Sequence, residues 1–132
     1  MIRRISHVGV AVKNLEETLR FFEQILDLKP SKKVETSKMK AAFIHIGDGE
    51  IELLEPIDPQ LPLAKFVAEK GEGLHHISLQ VEDIEEVIEE MRKKGIRLID
   101  EKPRIGVHGV NIAFLNPEST KEILIELCEE EK

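Results

Sequence analysis

HVGVAVKNLEE, residues 7–17, returns as HISLQVEDIEE, residues 76–86. The leading histidine, Val12/Val81, Leu15/Ile84 and the pairs Glu16-Glu17 and Glu85-Glu86 recur in place. Further along each half, IELLE at 51–55 is echoed by IELCE at 125–129, which matches Glu52 to Glu126. Two echoes in the same order identify a duplicated unit.

Working outward from the histidines, Val8, Val10 and Val12, or Ile77, Leu79 and Val81, alternate as on a strand with one buried face. Asn14 and Asp83 then stand as N-caps before LEETLRFFEQILDL and IEEVIEEMRKKG, whose apolar residues recur at helical spacing. The first helix is expected to stop near Leu28-Lys29-Pro30 and the second at Gly95. Strand-like runs follow at 32–35, 41–46 and 51–55, with a Gly47-Asp48-Gly49 turn before the last. In the second half they fall at 97–100, 110–115 and 123–128.

Each half therefore reads βαβββ, an α+β fold in which two tandem βαβββ modules form a curved mixed sheet around a metal-binding cleft. The expected layout is one domain over 1–132: module one at 1–56, a connector with the helical stretch LAKFVAEKG at 57–73, and module two at 74–132. The acidic last residues are expected to fray.

Successive side chains of a strand point to opposite faces. If the valines pack under the helix, His7 looks to the other side, and His76, Ser78 and Gln80 do the same in the second half. Ile51 and Leu53, or Ile125 and Leu127, take the helix side, which leaves Glu52 and Glu126 on the face of the histidines. His75 competes with His76, and both the repeat and the strand phase select His76. Two imidazoles and two carboxylates on one concave surface suit divalent Zn, Co, Ni, Mn or Fe. One His or Glu alone reads as an edge or solvated residue; their recurrence as a pair in both copies is what a solvated face has no reason to repeat. The predicted metal ligands are His7, Glu52, His76 and Glu126.

Composition narrows the remaining choices. The chain has 132 residues, 41% hydrophobic and 34% charged, enough for a core without disulfides. No apolar run approaches the roughly 20 residues of a membrane span, and the start MIRRISHVGVAV lacks the pattern of a secretory signal. A net charge of −7 argues against nucleic acid or anionic lipid as partner. The single cysteine, Cys128, has no internal partner, which points to a reducing cytoplasm.

Residues 7–12, IELLEP, GEGLHHISLQV and ILIELCE together resemble the vicinal oxygen chelate superfamily over nearly the whole chain. LAKFVAEKGEGLHHISLQVEDI, RLIDEKPRIGVHG and IAFLNPEST are most similar to its methylmalonyl-CoA epimerase family. That resemblance implies a homodimeric enzyme holding one divalent metal, Co2+ foremost with Zn2+, Ni2+ or Mn2+ as alternatives, and inverting C2 of an acyl-CoA substrate. By position its ligands fall on His7, Glu52, His76 and Glu126, with Glu52 where some members carry Gln, and Glu126 doubles as a catalytic acid or base. For the second acid or base, Lys40, His45, Glu50, a water and His108 are all open. Two departures stand out: Asn116-Pro117-Glu118-Ser119 replaces a His-Pro-Lys-Ser turn, and Glu122 replaces a Gly before the last strand. If the lysine of that turn holds CoA phosphates, binding here falls to Lys38, Lys40, Lys102 or Arg104, which otherwise read as solvated surface charges. The alternatives are a glyoxalase I-type lactoylglutathione lyase, mildly favoured by Glu52, and a non-catalytic small-molecule-binding member.

Overall fold

The computed structural model describes residues 1–130. Among these residues eight strands, three α-helices and one short 3-10 turn follow one another as β1 (Ile2–Ala11), α1 (Leu15–Leu26), β2 (Lys32–Glu35), β3 (Met39–Ile46), β4 (Gly49–Pro56), α2 (Pro62–Lys70), β5 (Gly73–Val81), α3 (Ile84–Lys93), β6 (Arg104–Ile105), β7 (Asn111–Phe114), the 3-10 turn (Pro117–Ser119) and β8 (Ile125–Glu129). The chain forms two compact units, one of Val8–His75 and one of Met1–His7 with the chain from His76 onward. Each contains half of the repeat, and β1 contributes residues to both.

In the unit of residues 8–75 the strand order is β2-β3-β4-β1, with β2-β3 and β3-β4 antiparallel. The β3-β4 hairpin pairs Ile46 with Gly49 and turns through Gly47, whose φ of 59° is a conformation that favours glycine. Asn14 caps α1 by accepting the Glu17 N–H at 2.9 Å. α1 ends two residues before the expected Leu28, because Asp27 turns left-handed at φ 57° and donates its backbone N–H to Glu23. Val12, Leu15, Leu19, Ala42, Ile44 and Leu53 form the buried core, with Val10 and Ile51 against it. The alternation expected on β1 and β4 is therefore present.

The second unit repeats this plan with strand order β1-β5-β8-β7-β6, in which β5 runs parallel to β8 and β7 antiparallel to it. Asp83 accepts the Glu86 N–H at the start of α3. Gly95 closes that helix at φ 81°. Val81, Ile84, Val87, Ile88, Ala113, Leu115 and Leu127 form the core.

Three expectations are corrected here. Residues 97–100 are not a strand: they keep only a bridge from Leu98 to Leu115. The Asp100 carboxylate there takes the Phe114 N–H at 2.8 Å, so a side chain replaces the ladder, and pairing resumes at β6. Ile77 is exposed rather than packed under α3. Glu129 is not frayed. It accepts the Ile84 N–H at 3.1 Å and the Asn111 amide at 3.1 Å, while the fraying expected of Glu131 and Lys132 lies outside the described residues.

Glu129 has a counterpart in the other unit. Glu55 accepts the Leu15 N–H at 2.7 Å, so the last glutamate of each IEL-x-E echo serves the first turn of its own helix. A carboxylate suits that place, because the unpaired N–H groups and the helix dipole favour negative charge.

The missing glycine has a physical reading. Lys121 and Glu122 both adopt positive φ, 59° and 68°, which costs an L-residue about 1–2 kcal/mol. Glu122→Gly is expected to stabilise the fold by about 1 kcal/mol, seen as a higher urea midpoint with an unchanged m-value.

Candidate metal centre

Glu126 is the second residue of β8, and alternation sets its side chain on the face opposite Leu127, which packs in the core with α3. Its register partners are Ser78 on β5 and Phe114 on β7. Ser78 is fully buried and Glu126 nearly so. Around this carboxylate the unit gathers both predicted histidines. His7 Nε2 lies 3.2 Å from Glu126 Oε1 and 3.2 Å from His76 Nε2. His76 Nε2 is 3.9 Å from Glu126 Oε2. His7 is 0% exposed, and its other ring nitrogen, Nδ1, meets Ser6 Oγ at 3.2 Å. That contact orients the ring so that Nε2 faces the carboxylate.

Burial alone pushes the Glu126 carboxyl up. The hydrogen bond from His7, the charges of His76 and His7, and the Ser78 hydroxyl outweigh it and hold the pKa below the ordinary carboxylate value. A depressed folded pKa contributes stability that is fully present above the unfolded value of about 4.3 and is lost as pH falls through the folded one. Urea midpoints of chelator-treated protein are therefore expected to fall on acidification below that pH, and the Glu126→Gln protein to lose part of this acid limb.

The donor set fits a cation. Atoms bound about 2.1 Å from one tetrahedral zinc lie about 3.4 Å apart, close to the 3.2 Å separations of His7 Nε2 from its two neighbours. Two buried imidazoles that direct the same nitrogen at each other and at a buried carboxylate match the chemistry of a borderline divalent ion.

The structure brings three of the four predicted residues together in one unit: His7, His76 and Glu126. Glu52 belongs to the other unit. There it stands in the middle of β4 with Phe43 as cross-strand partner, 2% exposed, on the face away from the Ile51–Leu53 packing against α1. His7, Glu52 and His76 are each buried and each offers one ligand atom. His75, the rival of His76, packs edge-on against Phe66 of α2 with ring centroids 4.8 Å apart.

The candidates for a second acid or base separate by position. Lys40 pairs across the sheet with Glu55, on the face that serves α1, and its amine reaches Glu35. His45 is largely exposed near the hairpin tip, 3.3 Å from Glu50. His108 lies against His7, with ring centroids 4.5 Å apart. Glu118, which stands where a lysine was expected, is tied to Arg97 on the surface, and Asn116 caps the short turn by accepting the Glu118 N–H. Among the described residues no helix is long and apolar enough to cross a membrane.

A model of the Glyoxalase/Bleomycin resistance protein/Dioxygenase superfamily matches residues 6–114. The chain belongs to this superfamily. Within the superfamily it is 34% identical to the mitochondrial methylmalonyl-CoA epimerase of Homo sapiens, over 94% of this chain and 72% of that protein. It is 35% identical to the uncharacterized protein YqjC of Bacillus subtilis, over 97% of this chain and 93% of that one. A solved methylmalonyl-CoA epimerase in complex with methylmalonyl-CoA and NH4+ superposes with a TM-score of 0.93 at 28% identity, covering 98% of this chain and 96% of that chain. The fold is thus the α+β fold of that superfamily, as the repeat predicted, and the chain stands with its epimerase enzymes.

Proposed function

We propose that the protein is a metal-dependent epimerase that interconverts (2R)- and (2S)-methylmalonyl-CoA by removing and returning the proton at C2. In this reading His7, Glu52, His76 and Glu126 hold one divalent ion, Co2+ foremost with Zn2+, Ni2+ or Mn2+ as alternatives. The observation that carries it is the buried approach of His7 Nε2 to both His76 Nε2 and Glu126 at 3.2 Å, in a chain whose relatives include methylmalonyl-CoA epimerases.

The cation would supply positive charge beside the oxygen that becomes negative when a proton leaves the carbon next to a thioester. The protein's own groups do the rest. Glu126, held ionised by its neighbours, accepts the C2 proton on one face. Burial of Ser78, His7 and His76 keeps water away from the carboxylate and fixes its direction. Return of a proton on the opposite face requires a second acid within hydrogen-bond reach.

The same reading places the protein in a reducing cytoplasm as a homodimer, with Cys128 a buried free thiol. To test the function, metal-loaded protein is offered methylmalonyl-CoA and, separately, the glutathione hemithioacetal of methylglyoxal. Epimerisation of the first is expected. Turnover of the hemithioacetal alone would transfer the protein to the lyase reading that Glu52 favours. No activity on either, with no ion retained after dialysis, would leave a binding module.

A further inference from the structure

The face of β5, β8 and β7 that carries His76, Ser78, Glu126 and Phe114 continues onto β6, because Arg104 pairs with Ile112, which itself pairs with Cys128. Arg104 is the basic residue of that edge strand, and its guanidinium is held in place. Its Nε donates to Asp100 Oδ1 at 3.0 Å, while the other oxygen of Asp100 accepts the Phe114 N–H at 2.8 Å. The Asp100 side chain is 15% exposed, so one fixed carboxylate ties the arginine to the strand it covers. The guanidinium carbon then sits 5.7 Å from the centroid of the Phe114 ring, and that ring meets His76 at 5.3 Å.

A guanidinium has five N–H donors, of which Nε supplies one. Attachment through Nε leaves the terminal edge, the one that matches a carboxylate or phosphate in bidentate fashion, directed away from Asp100. The side chain is about half exposed, so this edge is open to a solute. Stacking on Phe114 and the bond to Asp100 restrict the rotamers, which lowers the entropy cost of binding an anion there. A surface arginine with no function has no need of a partly buried acid that also secures the strand beneath it.

We propose that Arg104 binds an anionic group of the substrate, a carboxylate or a phosphate, while the reacting carbon lies at the His7–His76–Glu126 cluster. The inference rests on the epimerase reading and names the residue that would recognise the charged remainder of an acyl-CoA.

The test compares wild type, Arg104→Gln and Arg104→Lys on methylmalonyl-CoA and on methylmalonyl-pantetheine, which lacks the phosphates of CoA. Calorimetric titration with unreactive CoA and with methylmalonate runs alongside. Arg104→Gln is expected to raise KM for methylmalonyl-CoA roughly 10- to 100-fold with kcat within about threefold and an unchanged melting temperature, and Arg104→Lys to recover part of the loss. If the penalty vanishes with the pantetheine ester and CoA binding weakens, the anion is a phosphate; if it persists and methylmalonate binding weakens, it is the acyl carboxylate. An unchanged KM on both esters, or a fall in kcat and melting temperature together, overturns the proposal. Should wild type not epimerise at all, the functional reading falls by itself, and the two titrations still decide whether Arg104 binds an anion.

Discussion

His7→Ala is expected to lose its bound ion on dialysis and to reduce kcat/KM by at least about 10³-fold, the scale of removing a fixed electrostatic stabiliser from a dry site. The reason lies in how much converges on one ring. His7 is fully buried, touches both His76 Nε2 and Glu126 at 3.2 Å, and is set by Ser6 through its other nitrogen. Truncation would remove one proposed ligand and leave the buried Glu126 carboxylate without the imidazole that lies 3.2 Å from its Oε1. Stability should therefore fall in the metal-free protein too. His76→Ala is expected to match the loss of metal and activity, because the repeat gives the two histidines equivalent places. Metal analysis after dialysis, urea denaturation and an epimerase assay on the same samples separate loss of the ion from loss of the fold.

Glu126→Gln should give the second large effect. The amide keeps the shape and would remove the proposed base, and general base catalysis contributes about 10²–10⁴-fold. A fall of that size in kcat, with weaker retention of the ion because a neutral oxygen replaces an anion, is the expected result. Glu52→Gln gives the contrast. The resemblance allows Gln at that position, so this variant should stay within about tenfold of wild type. Equal losses in the two variants would mean that Glu126 acts only as a ligand. Steady-state kinetics at saturating metal distinguishes the cases.

Much of this was legible because strand alternation is strict. Once Val10, Val12, Ile51 and Leu53 are set under α1, and Val81 and Leu127 under α3, the side on which His7, Glu52, His76 and Glu126 stand follows from parity. The caps Asn14 and Asp83 were readable for a similar reason, since their oxygens act within three residues of themselves.

Sequence reasoning failed where a side chain reaches across the fold. Glu55 and Glu129 were visible as a recurring pair in IELLE and IELCE, yet nothing local says that each caps a helix about 40 residues earlier in the chain (|i−j| 40 and 45). Asp100 was read as the end of a strand, although its carboxylate is what takes the backbone bond at Phe114 and replaces the ladder. Ser6 was not singled out, because alternation points it away from the histidine face, whereas its hydroxyl touches His7 Nδ1. The signal that could have found it is its place beside a predicted ligand. Lys40 reads as a candidate base in the sequence, whereas the β3-β4 register pairs it with Glu55.

All of these proposed roles depend on one step, the labilisation of a hydrogen by a cation-assisted carboxylate. In deuterated water, metal-loaded protein should wash label into C2 of methylmalonyl-CoA, and a strong chelator should stop this until a divalent ion is restored. Label entering at the same rate in the chelated protein, or none entering in the loaded one, would contradict the account.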